Sequence, residues 1–171
     1  MDISTLIRAI PDYPKKGIMF RDITPLLKSS EGFSAVIQAF MKELEGKEVD
    51  AIAGIESRGF IFGAVLAQKM GLGFIPIRKK GKLPYDTVQE EYELEYGTDA
   101  VEVHTDALKE GDRVVVVDDL VATGGTVLAS VALMKKLNAD VVSVLSVIDL
   151  PGLGGSQKIK EQANFFRLLD Y

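Results

Sequence analysis

Cysteine is absent from the 171 residues of the chain, which excludes disulfide bonds, thiolate metal sites and a cysteine nucleophile. No apolar run approaches the roughly 20 residues that are needed to cross a bilayer. The N-terminal segment carries an acid at position 2, lacks a basic region and has only a short apolar stretch. We therefore expect no signal peptide, no membrane partner and a cytoplasmic protein.

Positive charge is outnumbered by negative charge. The chain has 20 Lys and Arg residues against 25 Asp and Glu residues, which gives a net charge of -5. Proteins that bind nucleic acid usually present a net basic face, so this balance argues against a nucleic-acid partner. It leaves open a small anionic substrate that is held by a few local groups.

Two kinds of apolar segment alternate along the chain and predict an α/β fold. The predicted strands are almost continuous runs of Val and Ile, which is typical of strands covered on both faces, so we expect a mostly parallel central sheet flanked by helices. No repeat or linker divides the chain, which predicts a single domain over residues 1–171. The predicted strands are 50–55, 72–78, 113–119, 141–149 and 165–171, and the predicted helices are 2–10, 31–45, 60–70, 125–137 and a short segment around Lys158.

Residues 78–103 interrupt this alternation. Segment 78–82 carries four cations, and segment 86–102 carries seven acids without a Lys or Arg. We predict a solvated loop that leads into a hairpin, in which residues 92–96 and 100–104 are joined by the turn 97–99. An insertion of about 25 residues is long for a connector, and long loops are often lids or binding loops. A charged flap without function is the alternative.

The segment RVVVVDDLVATGGTVLASV, residues 113–131, is the most informative about chemistry. Its four valines predict a buried strand that ends in Asp118 and Asp119, and ligands of open parallel sheets bind just outside the carboxyl ends of the strands. Buried carboxylates need hydroxyl, cationic or metal partners. The loop that follows opens into a helix, whose free N–H groups and positive end favour a phosphate. The loop residues are Ala122, Thr123, Gly124, Gly125 and Thr126.

This pattern predicts acids for a ribose diol followed by a loop for a 5′-phosphate. A strand ending in two acids also resembles a Walker B segment, but the GxxxxGK(S/T) motif that accompanies it in ATPases does not occur. The dinucleotide-binding pattern GxGxxG is absent as well. A helix cap followed by an ordinary turn is the structural alternative. Composition and spacing therefore indicate a nucleotide or sugar-phosphate site and go no further.

The motif VVVVDDLVATGGT resembles the phosphoribosyl pyrophosphate signature of the type I phosphoribosyltransferase family. The resemblance extends to the adenine phosphoribosyltransferases of that family through four further stretches in the same order, PDYPKKGIMFRDITPLL, IAGIESRGFIFG, IRKKGKLP and YELEYGTD. It implies a small hood, formed largely by residues 1–30 and the C-terminal segment. It also implies a flexible loop or hairpin over the active site, spanning roughly residues 78–97.

The resemblance also implies roles for individual residues. Asp118 and Asp119 would bind the ribose hydroxyls, and residues 122–126 would bind the 5′-phosphate. Glu95 and Tyr96 would be catalytic residues near the purine and the anomeric carbon, where Glu95 would handle a ring-nitrogen proton. The implied pyrophosphate-binding residues are Glu56, Ser57, Arg58, Gly59, Arg78, Lys79 and Lys82, of which Arg58 is also catalytic and Arg78 reaches over from a neighbouring subunit. The implied base-binding residues are Met19, Phe20, Arg21 and Leu150.

The implied reaction joins adenine to 5-phosphoribosyl 1-pyrophosphate and releases AMP and pyrophosphate. Mg²⁺ would be held mainly by substrate oxygens rather than by a dedicated protein site. The resemblance further implies a homodimer. The alternatives are a phosphoribosyltransferase for xanthine or guanine, and a regulator that senses phosphoribosyl pyrophosphate without turnover. The only histidine, His104, is assigned no role.

Overall fold

The structure, a computed structural model, describes residues 2–171 and separates into two units, the first ending at Lys42 and the second covering Glu43–Tyr171. The first unit contains a short 3₁₀ turn, Ile3–Leu6, and a two-stranded antiparallel sheet. Its strands are β1 (Arg8–Ile10) and β2 (Phe20–Asp22), and its helices are α1 (Thr24–Lys28) and α2 (Ser30–Glu43, which ends one residue into the second unit). The expectation of a single domain over residues 1–171 stays a prediction.

The predicted helix over residues 2–10 is wrong. The Asp2 carboxylate accepts a hydrogen bond from Ser4 N–H at 2.9 Å and caps only the 3₁₀ turn. The backbone is extended again at Ile7, and Arg8 pairs with Asp22 in the antiparallel sheet. Strand pairing over this distance in sequence outweighs the local preference, and no local pattern announces it.

The second unit is built on a seven-stranded sheet. Its strands are β3 (Ala51–Ile55), β4 (Gly73–Lys79), β5 (Thr87–Glu93), β6 (Thr98–His104), β7 (Arg113–Val121), β8 (Asp140–Asp149) and β9 (Phe165–Asp170), and its helices are α3 (Arg58–Met70), α4 (Gly125–Lys136) and α5 (Gly155–Lys160). The strand order is β5-β6-β4-β3-β7-β8-β9. The neighbouring strands β4, β3, β7, β8 and β9 run parallel to one another. Strand β6 pairs antiparallel with both β4 and β5. The predicted α/β fold with a mostly parallel sheet is confirmed.

The core of this unit explains why the strands form where they do. All five residues of β3 are buried, and so are the four valines 114–117 of β7. Strands without an exposed face carry no polar alternation, as the sequence predicted. Between residues 2 and 171, no helix combines the length and apolarity that crossing a membrane requires.

The hairpin predicted within residues 78–103 is present, but its turn lies earlier than expected. Leu94 N–H donates to Gly97 O at 2.9 Å, and Glu93 pairs with Thr98, so residues 94–97 form the turn. Gly97 has φ 83°, a conformation that favours glycine. The hairpin extends the central sheet at its β4 side and is therefore regular structure rather than a free loop.

Candidate active site

The acidic pair lies at the carboxyl end of β7. Asp118 lines a cavity of about 110 Å³ together with the loop that follows the strand. Asp119 is only 4% exposed, and its Oδ2 lies 2.9 Å from Nε of Arg58, the first residue of α3. Among residues 2–171, no group donates a hydrogen bond to this buried oxygen. The buried Oδ2 of Asp119 therefore has acceptor capacity to spare.

Burial dominates the electrostatics of the pair. It raises the pKa of Asp118 well above its ordinary value, and the neighbouring charge of Asp119 raises it further. Burial also raises the pKa of Asp119, an effect that the positive charge of Arg58 partly offsets. Two carboxyl groups in this position favour hydroxyl or cationic ligands, because such partners restore the interactions that burial removes.

The predicted phosphate loop joins β7 to α4. Gly124 has φ 84° and turns the chain, and Leu128 N–H donates to Gly124 O at 2.8 Å as the helix starts. The first N–H groups of an α-helix have no partner within it, and the helix dipole favours an anion there. The same cavity of about 110 Å³ is lined by residues 120–127, so an anion at this helix end would lie beside Asp118.

A cluster of charged groups surrounds Glu56, which follows β3. Lys82 Nζ lies 2.5 Å from Oε1, and Arg78 Nε lies 3.4 Å from Oε2. The backbone N–H of Lys79 donates to Oε2 at 2.9 Å. Burial raises the pKa of Glu56, but the bonds from Lys82, Lys79 and Arg78 outweigh it and lower the pKa to about 2. Glu56 is therefore ionised and keeps two cations beside the start of α3.

The start of α3 also approaches the acidic pair. A Cβ atom on Gly59 would lie 2.7 Å from the backbone oxygen of Val117 and 3.1 Å from Asp118 Oδ1. Only glycine therefore fits between the helix and β7. This close packing brings the predicted pyrophosphate loop, residues 56–59, against the predicted ribose-binding strand end.

The β5–β6 hairpin lies beside the phosphate loop. A second cavity, of about 770 Å³, is lined by Glu95 on the hairpin turn and by Thr123, Gly125 and Thr126 of the loop. Lys136 links α4 to the hairpin, because its Nζ donates a hydrogen bond to Gln89 O of β5 at 2.7 Å. The sequence stretches that carry the acid pair, the phosphate loop and the hairpin thus converge on one end of the sheet.

A family model for the phosphoribosyl transferase domain matches residues 25–169. The chain belongs to the phosphoribosyltransferase family. The adenine phosphoribosyltransferase of Chlorobaculum tepidum is 55% identical, covering 100% of this chain and 98% of the relative. The adenine phosphoribosyltransferase of Thermoanaerobacter pseudethanolicus, whose crystal structure is known, is 50% identical in sequence. Its structure matches with a TM-score of 0.95, covering 99% of this chain and 98% of that one.

A third relative was solved with ligands. The Saccharomyces cerevisiae adenine phosphoribosyltransferase, complexed with D-2,5-dideoxy-2,5-imino-altritol 1,6-bisphosphate and adenine, is 37% identical, with a TM-score of 0.94. The match covers 98% of this chain and 96% of the yeast chain. The family resemblance stated from the motifs is therefore confirmed over nearly the whole length of the chain.

Some residues that were predicted to bind substrate in this phosphoribosyltransferase do not lie at the end of the sheet where the acid pair, the phosphate loop and the hairpin meet. The Lys79 ammonium lies away from Glu56 and contacts Tyr92 Oη and, at 2.5 Å, Asp99 Oδ2. Burial lowers the pKa of Lys79, but these two partners outweigh it and raise the pKa. Neighbouring residues of a strand point to opposite faces, so Arg78 and Lys79 cannot both turn their side chains to Glu56. Tyr96, on the hairpin turn, is 79% exposed.

The predicted base-binding residues lie in two units. Met19, Phe20 and Arg21 belong to the first unit, in and just before β2, where the rings of Phe20 and Tyr13 pack edge to face with centroids 5.1 Å apart. Leu150 belongs to the second unit and follows β8, and its N–H donates to Val121 O at 2.9 Å. Their role in binding a base stays a prediction.

Two contacts of the phosphate loop were not predicted. A Cβ on Gly125 would meet Cδ2 of Tyr92 at 3.3 Å, so the β5 tyrosine covers the start of α4. Gly155, at the start of α5, lies against the backbone of residues 122–124. The Gly154–Gly155 doublet was the visible signal, because paired glycines often mark a close approach of two backbones.

Proposed function

We propose that this protein transfers the phosphoribosyl group of 5-phospho-α-D-ribose 1-diphosphate to adenine, giving AMP and pyrophosphate, as a purine salvage enzyme. The observation that carries the proposal is the convergence of the acid pair, the phosphate loop and the Glu95 hairpin on one end of the sheet. The identity of the base rests on the full-length relatives that bear the name adenine phosphoribosyltransferase, one of them solved with adenine.

The ribose phosphate would lie along β7 and the loop after it. Asp118 and Asp119 accept hydrogen bonds from the 2′ and 3′ hydroxyls, because carboxyl oxygens offer acceptor sites for such donors. Backbone N–H groups of residues 122–126 and the two threonine hydroxyls donate to the 5′-phosphate. The 110 Å³ cavity that contains both Asp118 and the loop supports this assignment.

The pyrophosphate would lie at the start of α3. Arg58 offers two parallel donors to phosphate oxygens, and binding would draw it from Asp119 toward the ligand. Lys82, which Glu56 holds close by, neutralises the charge that grows on the leaving group. Lys79 would need a new side-chain orientation to take part.

Mg²⁺ fits this site as an ion held largely by substrate oxygens. The oxygens of Asp118 and Asp119 are hard donors, and the buried Oδ2 of Asp119 has unused acceptor capacity. Residues 2–171 contain no group of three or more side chains that could hold a metal by themselves. The bound ion would neutralise negative charge on the pyrophosphate.

The transfer step forms a bond between adenine N9 and C1′ as the bond from C1′ to the pyrophosphate oxygen breaks. The transition state resembles a sugar cation, so the protein must orient the base and exclude water. Glu95 accepts the ring-nitrogen proton of adenine as the new bond forms. The family resemblance alone assigns base binding to Met19, Phe20, Arg21 and Leu150, and it assigns Tyr96 a role near the anomeric carbon.

We further propose that the enzyme is a homodimer that works in the cytoplasm, and that Arg78 serves the neighbouring subunit. The family resemblance supports the assembly. Measurement of the molar mass in solution by light scattering tests it. A monomer that is fully active at all concentrations would overturn this part alone.

A panel of purine bases, assayed by pyrophosphate release with and without Mg²⁺, tests the central proposal. We expect adenine to be used at least about a hundredfold better than hypoxanthine, guanine or xanthine, because a site that hydrogen-bonds the amino edge of adenine leaves its own groups unpaired against an oxo group. Preference for a 6-oxopurine would assign a different base. Tight binding of phosphoribosyl pyrophosphate without turnover of any purine would assign a regulator.

A further inference from the structure

The contact between Gly155 and the phosphate loop leaves no room for a side chain. A Cβ atom on Gly155 would lie 2.4 Å from Ala122 O, 2.6 Å from Gly124 N and 2.7 Å from the carbonyl carbon of Thr123. All three are backbone atoms of the loop, so no flexible side chain can move aside. Ordinary contact begins at 3.4 Å. Any residue other than glycine here would therefore displace the loop or α5.

Space, and not backbone conformation, is what requires glycine at position 155. Its neighbour Gly154 has φ 78° and nothing within 4 Å of a built Cβ, so at position 154 the backbone conformation favours glycine and space does not limit the side chain. Gly155 is not among the residues with positive φ. On the loop side, a Cβ on Gly124 would lie 2.9 Å from Gly155 Cα, so the two glycines fit against each other.

A hydrogen bond at this contact fixes the orientation of the Ala122 carbonyl in the loop. Gly155 N–H donates to Ala122 O at 3.1 Å. In a planar trans peptide the C=O and the following N–H point in opposite directions. Fixing the Ala122 carbonyl toward α5 therefore turns the Thr123 N–H away from α5, and Thr123 is one of the residues that line the phosphate cavity.

We propose that Gly155 is a positioning residue that sets the orientation of the Ala122–Gly124 backbone for binding the substrate 5′-phosphate. It does not touch the substrate. It acts through the loop, as a fixed surface that keeps the loop N–H groups aimed at the anion. This inference rests on the proposed function, because it takes the loop as the 5′-phosphate site.

The variant Gly155→Ala tests the inference, with Gly152→Ala as the matched control. Gly152 lies in the same segment, lacks a positive φ and has nothing within 4 Å of a built Cβ. The clash at position 155 requires a shift of roughly 1 Å, and misplacement on that scale can cost about a hundredfold in binding or rate. We expect this loss only for ligands that carry a 5′-phosphate.

The readout is the ratio of the dissociation constants of adenosine and AMP, measured by calorimetry for the wild type and both variants. The ratio isolates the contribution of the 5′-phosphate, whereas a general loss of structure would weaken both ligands alike. We expect Gly155→Ala to lower the ratio at least about tenfold, and Gly152→Ala to leave it within about twofold. A folded Gly155→Ala protein that keeps the wild-type ratio would overturn the inference.

Two further outcomes are informative. Wild-type protein that binds AMP no better than adenosine would overturn the proposed phosphate site and this inference with it. If Gly155→Ala does not fold, hydrogen exchange in the wild type decides, because an ordered loop should protect the Gly155 amide that bonds to Ala122. Slowing of this exchange by AMP but not by adenosine supports the inference. Equal exchange with both ligands refutes it.

Discussion

Replacing Glu56 with glutamine should destabilise the protein in a pH-dependent way. The Glu56 side chain is 11% exposed and carries hydrogen bonds from Arg78, Lys82 and the Lys79 N–H. Its pKa falls from 4.5 to about 2, which corresponds to about 3 kcal/mol of stability at neutral pH. The side chains of Arg78 and Lys82 are 34% and 49% exposed, so solvent screening reduces this contribution. We expect about 1–2 kcal/mol.

The sign of the pH dependence follows from the lowered pKa. A carboxyl group with a depressed pKa stabilises the fold fully above its unfolded pKa of 4.5 and loses that contribution as the pH falls to about 2. The difference between wild type and Glu56→Gln should therefore be largest near neutral pH. It should shrink by more than half by about pH 3.

Urea unfolding at several pH values measures this difference. Thermal unfolding at neutral pH provides a second measurement. The expected loss of about 1–2 kcal/mol corresponds to a fall in Tm of about 2–8 °C for a chain of this size. The exposed Glu110 supplies the control variant Glu110→Gln, which should unfold like the wild type at every pH. Equal stability of Glu56→Gln and wild type at neutral pH, or a difference that persists unchanged to pH 3, would refute the reasoning.

Two further substitutions separate activity from stability. Asp118→Asn should lower activity at least tenfold but raise Tm at neutral pH, because burial and Asp119 raise the pKa of Asp118 and make its ionisation unfavourable. This gain should disappear as the pH falls to the ordinary range of Asp, and an unchanged Tm across pH would contradict it. Glu95→Gln should lower kcat about a hundredfold while the KM for adenine changes less than about threefold. Steady-state kinetics with an unchanged kcat would leave Glu95 as a solvated acid.

Local motifs predicted the central part of the candidate site. The valine run before Asp118 and Asp119 forms a buried strand, and the loop after it opens into α4, as the sequence indicated. These features depend on neighbouring residues, so a short segment contains the information for them. The hairpin was also predicted, although its turn was expected to begin three residues too late because Glu95 and Tyr96 continue the alternating pattern past the strand end.

Contacts between distant segments could not be predicted in the same way. Residues 8–10 form a strand because residues 20–22 are available to pair with them. Lys79 pairs with Asp99, which lies on another strand, and this contact turns its ammonium away from Glu56. The seating of Gly155 against Ala122 likewise depends on the path of the chain through β8.

The sequence by itself determined which chemical groups this phosphoribosyltransferase possesses and in what order. It also determined the charge: segment 78–102, with four cations and seven acids, accounts for most of the net charge of -5. The tertiary structure decided which opposite charges meet, since Glu56 pairs with Arg78 and Lys82 whereas Asp99 pairs with Lys79. Coulomb energies and steric fit depend on distances between side chains, and only the folded chain sets those distances.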